Sequence, residues 1–385
     1  MHVINKVLFC ATVDYHFKAF HLPYLKWFKE QGWEVHVAAS GTTDLPYVDK
    51  KFTIPIRRSP LDLKNVEAYN GLKAIMNENN YKIIHCHTPM GGVITRLAAR
   101  NARKQGTKMI YTAHGFHFCK GAPLTNWLIY YPIEKILAHN TDCLITINQE
   151  DYQLASKRFK ARTIELVNGV GVDTDVFKPL SDNRRVAIRK SFGYRPNDFL
   201  LFYAAEFNKN KNQQLLLHSL ARIRDKVPQA RLLLAGEGAL LENCRELAVK
   251  LGISHMVDFL GFRKDIKELV SISDVAVGSS LREGLPVNVM EAMACGLPVV
   301  AIENRGHREL VHNNFNGWII DKNDIDQFAN KIEMLARMVD VKEQLGKNGR
   351  RVVLSTYSVN HILARNRQIY QTYMGEGEVK EWAVH

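Results

Sequence analysis

The sequence lacks the features that mark several classes of protein. Its six cysteines are isolated, with no CxxC pair and no regular spacing, which argues against a zinc-finger-type site and against a disulfide framework. No apolar run reaches the roughly 18 residues that a membrane-spanning helix needs. The apolar start VLFCATV is short and soon meets Asp14, unlike a secretory signal. We expect a cytoplasmic protein for which only peripheral membrane contact is open.

Positive charge is concentrated in the first half of the chain. Residues 1–165 carry 22 Lys and Arg against 13 Asp and Glu, and the remainder carries 30 against 26. A basic half can face nucleic acid, anionic lipid or phosphorylated substrates, and charge alone does not choose among them. No RNA- or DNA-reading module is present, so nucleic acid is not an expected partner.

Short β-branched runs alternate with helix-like stretches twice along the chain. Seven runs lie between VLFCAT and TIELVNG, and six more follow between DFLLFYAA and GWIID. This alternation is typical of an α/β fold with parallel, doubly wound sheets. We predict two Rossmann-like domains over residues 1–170 and 171–357. A C-terminal helix in 358–385 could pack on either domain, and could do so by crossing back to the N-terminal one. Ligands of such sheets bind at the carboxyl ends of strands, so we expect the domains to face a central cleft.

The stretch SSLREGLPVNVMEAMACGLPVV contains two carboxylates, Glu283 and Glu291, eight positions apart. Pro286 suits the start of a helix, and Gly296 followed by Pro298 would end it. We therefore place Glu283 in a loop and Glu291 on the helix. If one helix carried both, about 12 Å would separate them at 1.5 Å per residue, more than the carboxylate pairs of glycoside hydrolases use.

An alternative to a bond-cleaving pair is a pair that holds one ligand. Free amides at Gly284 and Leu285, before a helix N-terminus, offer a place for an anion. Carboxylates on either side of it would suit hydroxyl groups, as in a nucleotide sugar. The residues also allow a simpler interpretation, in which Glu283 is a solvated loop residue and Glu291 an acid that stabilises the helix dipole.

EGLPVNVMEAMACGLPVVA resembles the EX7E motif of glycosyltransferase family 4, which comprises retaining enzymes of the two-Rossmann-domain GT-B type. HCHTPMGG, YTAHG, NGVGVDTDVF, LLLAGEG, FLGF and NNFNGWII agree with that family in the same order. The resemblance covers nearly the whole chain. Within the family, AHGFHFCKGAPLTNWLIYYPIEKILA is most similar to bacterial exopolysaccharide and capsule transferases.

The resemblance implies specific roles on the donor side. Glu283 would touch the donor sugar's hydroxyls, assisted by the amides of Gly284 and Leu285, and Glu291 would hold the ribose. His114, in TAHG, would contact the donor sugar near the scissile bond.

Further donor-side residues follow from the same resemblance. Lys211 matches the family lysine that meets the diphosphate, where compensating charge assists departure of a phosphate. Gly236, in LLLAGEG, and Arg263, directly after FLGF, are also assigned to the donor side. Many family members have an arginine where this chain has Glu206, so either Lys209 or Lys211 would carry more of the charge compensation.

The acceptor side departs from the family pattern. The first strand's loop lacks the paired glycines of relatives, and Asp14, Tyr15 and His16 occupy that place. We assign these three residues and His87 to the acceptor side.

Three patterns could instead bind metal, and we assign no metal to any of them. Asp173 and Asp175 form a DTD sequence, but it lies at the interdomain joint. Neither the pair His85 and His87 nor the set His114, His117 and Cys119 provides a closed zinc ligand set. No cofactor is expected.

Aromatic and basic residues mix in FKAFHLPYLKWFKEQ and NWLIYYPIEKIL. Such mixtures suit a membrane interface, but amphipathic core helices have the same composition. The basic first half favours an anionic membrane surface.

The sequence thus predicts a metal-independent, retaining glycosyltransferase. It would move a hexose or N-acetylhexosamine from a nucleoside diphosphate, with UDP the expected one, to a lipid-linked saccharide in exopolysaccharide synthesis. Two alternatives stay open: a nucleotide-sugar epimerase on the same scaffold, and a non-catalytic module that binds a polyanion or a membrane.

Overall fold

Each of the thirteen predicted β-runs forms a strand in the computed structural model, which describes residues 4–375. Every strand pairing in this part of the chain is parallel. The chain forms two compact units. The first contains the chain up to Gly169 and again from Ile362, and the second runs from Val170 to His361.

The first unit is a seven-stranded sheet with helical crossovers. Its strands are β1 (Lys6–Val13), β2 (Glu34–Ser40), β3 (Lys50–Thr53), β4 (Tyr81–His87), β5 (Lys108–Ala113), β6 (Cys143–Thr146) and β7 (Thr163–Leu166). Its helices are α1 (Tyr15–Phe20), α2 (Leu22–Glu30), α3 (Lys64–Glu78), α4 (Pro89–Ala98), α5 (Arg100–Lys104), α6 (Leu124–Ala138) and α7 (Gln149–Arg158). The strand order is β3-β2-β1-β4-β5-β6-β7, so the order reverses between β1 and β4.

The second unit repeats this plan with six strands. They are β8 (Phe199–Ala204), β9 (Ala230–Ala235), β10 (Val257–Gly261), β11 (Val275–Gly278), β12 (Val299–Ile302) and β13 (Gly317–Ile320). The helices are α8 (Asp182–Ser191), α9 (Gln213–Ile223), α10 (Leu241–Lys250), α11 (Ile266–Ile272), α12 (Val287–Ala294), α13 (Arg305–Leu310), α14 (Ile325–Arg337) and α15 (Val339–Val352). The order β10-β9-β8-β11-β12-β13 reverses between β8 and β11.

The central strands are buried on both faces, as parallel strands between two helical layers require. In β1, Val7 to Thr12 are all buried. One face of the first sheet packs with side chains of α1 and α2, and the other packs with α3 and α4. Phe9 pairs with His85 across β1 and β4, which puts His85 and His87 on the α1 and α2 side of the sheet.

The aromatic residues of the first helices belong to this core. Phe17, Tyr24, Trp27 and Phe28 are each at most 6% exposed. The membrane-interface interpretation is therefore wrong for these four rings, because they pack under the sheet and cannot enter a lipid surface. Phe20 of the same segment is only partly buried.

The last described helix, α16 (Val359–Met374), packs in the first unit from Ile362 onward. Tyr370 is 1% exposed, and its ring lies 4.9 Å from that of Phe28. Its hydroxyl bonds to His85 Nδ1 at 2.7 Å, and Asn366 Nδ2 donates to Tyr24 Oη at 2.9 Å. These contacts settle which of the two domains the helix covers, a choice that the sequence left open.

We expect Tyr370→Ala to destabilise the first unit by about 3–5 kcal/mol, as for other large aromatic truncations in cores. Urea unfolding followed by tryptophan fluorescence measures this, since Trp27 stacks on Tyr370 at 5.9 Å. Gln371→Ala, at the exposed neighbour, should change stability by less than about 0.5 kcal/mol. Equal stability of the two variants would show that α16 does not complete this core.

Candidate active site

An ion pair marks the point in the second unit where the strand order reverses. Lys211 Nζ lies 2.5 Å from Glu283 Oε1. Lys211 follows β8 and Glu283 follows β11, the two strands that flank the reversal. Open α/β sheets bind their ligands at this position, so two residues that the sequence assigned to the donor lie together there.

Hydrogen bonds join the two loops that carry this pair. Leu281 N donates to Asn210 O at 2.7 Å, and Asn210 Nδ2 donates to Arg282 O at 3.0 Å. Ser279 Oγ donates to Lys211 O at 2.7 Å. The loops therefore fix the backbone on both sides of the ion pair.

The EGLP loop packs against the start of α13. A Cβ on Gly306 would lie 2.8 Å from Glu283 Cβ and 2.9 Å from Pro286 Cδ, so only glycine allows this approach. The amides of Gly284 and Leu285 donate to no other group among residues 4–375. Two unpaired amides beside the N-terminus of α12 are a ready anion site.

Glu291 lies on α12 and Glu283 lies in the preceding loop, as predicted, although Pro286 caps the helix instead of lying within its first turn. Burial raises the pKa of Glu291 to about 7. Within residues 4–375 it has no ion-pair partner, so its carboxylate is available to accept hydrogen bonds from a ligand.

Gly236 brings the backbone after β9 against the loop after β8. Its φ is +143°, and a Cβ there would lie 2.1 Å from Ala205 O. A side chain would therefore separate the two loops.

The other cations assigned to the donor differ in their surroundings. Lys209 is exposed and has no ion-pair partner in the described part of the chain. Arg263 follows the edge strand β10 and is paired with Asp265. Glu206 is exposed, and its carbonyl accepts from Gln213 Nε2 at 2.9 Å. Lys211 is thus the assigned cation that the structure places beside Glu283.

The equivalent reversal in the first unit carries a strained residue. Thr88, directly after β4, has φ 65°, which is unfavourable for a β-branched residue. Its Oγ1 accepts from Thr12 N at 3.0 Å and bonds to Thr12 Oγ1 at 2.7 Å. The ends of β1 and β4 are therefore held together by a polar contact that offsets the strain.

Four histidines meet beside this contact. One ring nitrogen of each lies within 4.8 Å of those of the others: His16, His21, His87 and His114. Burial lowers the pKa of His16 to about 4 and those of the other three well below their usual range. All four imidazoles are therefore neutral near pH 7, and the two predicted to touch donor and acceptor, His114 and His87, are 3.4 Å apart from Nε2 to Nδ1.

His21 was not among the site residues predicted from the sequence. It follows α1 and is 4% exposed; its only sequence signal is its place at a helix junction, one residue before LP. Of the residues that the sequence suggested as metal ligands, His87 and His114 belong to this group of four, whereas His85, His117 and Cys119 do not. Both ring nitrogens of His85 are used, by Tyr370 and Thr112.

Asp14 and Tyr15 have different environments. The Asp14 carboxylate accepts from Thr43 N at 2.7 Å and from Lys51 Nζ at 2.6 Å. These contacts give Asp14 a structural role in tethering its loop. Tyr15 is 65% exposed, and the acceptor contacts of both residues stay predictions.

The DTD sequence serves a turn. Asp173 Oδ1 accepts from the backbone amides of Asp175 and Val176, both at 3.0 Å. These hydrogen bonds give Asp173 a role in the turn that requires no metal.

A cavity of about 600 Å³ opens beside His114 in the first unit. Its wall is mainly apolar, and Arg58 adds a positive group; the apolar lining includes Met90, Val93, Ile129 and Ile133. Glu134, also in the wall, is buried and pairs with Arg96 at 2.8 Å. The cavity combines apolar area with a few polar groups, as small-molecule sites do.

Comparison with known proteins identifies the class. Residues 6–148 match the family model described as glycosyl transferase 4-like, and residues 185–352 match the model described as glycosyl transferases group 1. One match falls in each unit. The chain therefore belongs to glycosyltransferase family 4, and it is a glycosyltransferase with the GT-B fold.

Individual relatives agree with this class. The chain is 52% identical, over 99% of its length and 100% of the relative's, to the Bacillus subtilis (strain 168) protein named "Putative glycosyltransferase EpsD". It is 27% identical, over 80% of each chain, to the Escherichia coli "UDP-Gal:alpha-D-GlcNAc-diphosphoundecaprenol alpha-1,3-galactosyltransferase".

Solved structures share the fold. Anabaena Alr3699/HepE in complex with UDP-glucose superposes with a TM-score of 0.77 at 19% identity, covering 95% of this chain and 99% of that one. WaaG, a glycosyltransferase involved in lipopolysaccharide biosynthesis, gives a TM-score of 0.73 at 16% identity with the same coverage.

Glu291→Gln should stabilise the ligand-free protein at pH 8 but not at pH 5. The Glu291 carboxyl has a pKa of about 7 in the folded state and an ordinary pKa of 4.5. Its contribution to stability is therefore fully present below pH 4.5 and is lost as the pH rises through 7. At about 1.4 kcal/mol per pKa unit, the free energy of unfolding of the variant, relative to that of wild type, should be about 2–3 kcal/mol higher at pH 8 than at pH 5.

Thermal unfolding at pH 5 and pH 8 measures this gain. Glu246→Gln, at an exposed position, is the matched control and should show no such pH dependence. A Glu291→Gln variant that tracks wild type at both pH values would contradict a buried, unpaired carboxyl.

Proposed function

We propose that this glycosyltransferase moves a hexose or N-acetylhexosamine from UDP to a lipid-linked saccharide in exopolysaccharide assembly, with retention of anomeric configuration and without a metal ion. The observation that carries the proposal is the Lys211–Glu283 pair at the strand reversal of the second unit, next to the free amides of Gly284 and Leu285. Cation, amides and carboxylates there match the parts of a nucleotide sugar.

The relatives support the donor and acceptor classes. The Escherichia coli relative is named for transfer from UDP-Gal to a diphosphoundecaprenol-linked GlcNAc. HepE, which shares the fold, has been solved with UDP and with UDP-glucose.

Donor binding would exchange one partner of Lys211 for another. In the ligand-free chain Glu283 neutralises the lysine, so neither charge is left uncompensated. A diphosphate brings its own negative charge to Lys211 and to the two amides. Glu283 is then free to accept from sugar hydroxyls, and Glu291 to accept from the ribose.

Transfer needs no protein nucleophile in this proposal. The acceptor oxygen bonds to the anomeric carbon on the face from which the diphosphate leaves. The bond from that carbon to the phosphate oxygen breaks, and its electron pair passes to the phosphate, which takes the acceptor's proton. Protein groups position the reactants and stabilise the charge of the leaving group.

The cavity beside His114 is the proposed place of the acceptor. Its apolar wall suits the less polar part of a lipid-linked saccharide, and exposed Arg58 suits a phosphate.

Peripheral membrane contact would use α6. No helix within residues 4–375 is long and apolar enough to cross a bilayer. On α6, however, Leu124, Leu128, Ile129 and Ile136 are each more than half exposed. Exposed apolar side chains in the basic half of the chain fit an anionic lipid surface.

A panel of UDP-, GDP- and ADP-sugars with lipid-linked saccharides, analysed by mass, tests the function. We expect the acceptor mass to rise by one hexose or N-acetylhexosamine with a UDP-sugar. Donor without acceptor is the second arm, where formation of an epimer would establish the epimerase instead. Neither product nor nucleotide-induced thermal stabilisation would favour a non-catalytic module.

Lys211→Met should weaken UDP binding by roughly 10–100-fold, because one charge-assisted hydrogen bond contributes about 1.5–3 kcal/mol. Lys209→Met is the matched comparison and should weaken it by less than about threefold, in the range of a weak surface charge. Titration calorimetry with UDP measures both. The reverse ranking would assign the diphosphate to Lys209.

His114→Ala should lower kcat about a hundredfold, the lower end for one positioned polar group, with UDP affinity unchanged. Steady-state transfer measures kcat, with His139→Ala, at an exposed histidine, as the control. Undiminished turnover in His114→Ala would refute its proposed contact with the transferred sugar.

The double variant Leu124→Gln, Leu128→Gln should bind anionic vesicles at least about tenfold less tightly, since each buried leucine contributes about 1.5–3 kcal/mol. Co-sedimentation with phosphatidylglycerol vesicles measures the effect. Val249→Gln, at an exposed apolar position on α10, is the control. Equal sedimentation of all three proteins would exclude α6 as the contact.

A further inference from the structure

The four-histidine cluster of the first unit has the composition of a transition-metal site. His16 lies on α1, His21 directly follows α1, His87 ends β4, and His114 directly follows β5. One nitrogen of each ring lies within 4.8 Å of one nitrogen of every other ring. Three separate segments of the chain thus direct imidazoles to one point.

Two of these rings have a nitrogen with no partner among residues 4–375. His16 Nε2 and His21 Nδ1 are buried and form no hydrogen bond there. His21 and His87 are 4% and 1% exposed. An unsatisfied buried polar atom costs about 1–3 kcal/mol, and two at one place are unusual in a native structure. A ligand that accepts the lone pairs of these rings would remove the cost.

The arrangement of the rings suits a small ion. Tetrahedral Zn–N bonds of about 2.0–2.1 Å place two ligand nitrogens about 3.3 Å apart. His87 Nδ1 and His114 Nε2 are already 3.4 Å apart. The ring centroids of His21 and His87 are 4.1 Å apart, and those of His16 and His114 are 4.9 Å apart. The nitrogens, which lie within 4.8 Å of one another, would have to approach to about 3.3 Å to complete a tetrahedral set.

The ligand chemistry restricts which ion can bind. The cluster contains only imidazoles, which suit Zn²⁺, Cu, Ni or Fe, whereas Mg²⁺ and Mn²⁺ prefer oxygen. Imidazole binds a metal ion in its neutral form. His16 and His114 are partly exposed, and they provide the route by which an ion enters.

The surroundings hold the ligands in place. The ring of His87 is stacked on Phe9, and His21 lies edge-on to Phe17. His85 lies 4.1 Å from His87 but is bonded at both nitrogens to Tyr370 and Thr112, so it supports the site without entering it.

We propose that His16, His21, His87 and His114 bind one divalent first-row transition-metal ion of the zinc class. All four histidines belong to the first unit. One consequence rests on the proposed function: a metal bound to His114 would take this ring away from the sugar, so the ion inhibits transfer.

Metal titration of the tag-free full chain tests the site without donor or acceptor. We expect one Zn²⁺ per chain by elemental analysis after dialysis, and none of Mg²⁺. Co²⁺ should give the visible absorption of a tetrahedral complex. A cobalt spectrum of octahedral type, with no retained zinc, would overturn the proposal.

His21→Phe removes one ligand and keeps an aromatic ring among aromatic neighbours. Zinc affinity, measured by competition with a chromogenic chelator, should fall by at least roughly 10–100-fold. Loss of a group that only orients a ligand already costs this much. His36→Gln is the matched control, because His36 is buried but already bonded to Tyr81 and Glu34. It should bind zinc as wild type does.

His21→Cys distinguishes the loss of a metal ligand from misfolding of His21→Phe. A thiolate is also a zinc ligand, so this variant should keep the metal and add a sulfur-to-cobalt charge-transfer band in the near ultraviolet. The chain has 15 histidines. Equal zinc binding by wild type and His21→Phe, and no new band in His21→Cys, would assign the metal to other histidines and reject this site.

Transfer assays with added Zn²⁺ examine the consequence separately. We expect zinc to lower turnover and a chelator to restore it. If zinc binds at one per chain and turnover is unchanged, the role of His114 in transfer fails while the metal site stands. Loss of turnover on chelation would make the ion a requirement and contradict its inhibitory effect.

Discussion

Every site in this protein depends on the parallel pairing of its strands. Parallel strands end at the same edge of the sheet, and where the strand order reverses, neighbouring loops leave in opposite directions and open a crevice. The reversals lie between β1 and β4 and between β8 and β11. The first brings Thr12 and Thr88 into contact, and the second brings Lys211 to Glu283.

The side chains at the two reversals differ in charge: those of the second unit are charged, and the imidazoles of the first are neutral. The second unit presents a cation, free amides and two carboxylates, of which Glu291 is unpaired and buried enough to raise its pKa to about 7. Such groups suit a ligand that contains both phosphate and hydroxyls. The first unit presents neutral imidazoles among aromatic rings, which can hold a hydroxyl or a metal ion but cannot balance a diphosphate. In the proposed function, this division would compensate charge at the second unit, while the first unit would only position the acceptor.

Local patterns in the sequence predicted the strands and the placement of Glu283 and Glu291 on different elements, whereas the donor roles of these residues came from the family resemblance and stay predictions. Continuous β-branched runs identify buried parallel strands because both faces of such strands are apolar. Pro286 separated Glu283 from Glu291 because it can begin a helix but not continue one. His21 and the packing of α16 could not be predicted, because an amphipathic helix shows that it has a buried face without showing what covers it. The aromatic residues of α1 and α2 misled for the same reason. Membrane-interface and core helices share one composition, and the pairing of Tyr370 with Phe28 decides between them.

In the proposed transfer the acceptor bonds to the anomeric carbon on the face that the diphosphate leaves, so the anomeric configuration of the donor is retained. NMR of the product made from a UDP-α-sugar carrying ¹³C at the anomeric position tests it most directly. We expect an α linkage, formed with release of UDP. A β linkage would contradict it, because inversion requires attack from the opposite face and a base to take the acceptor's proton.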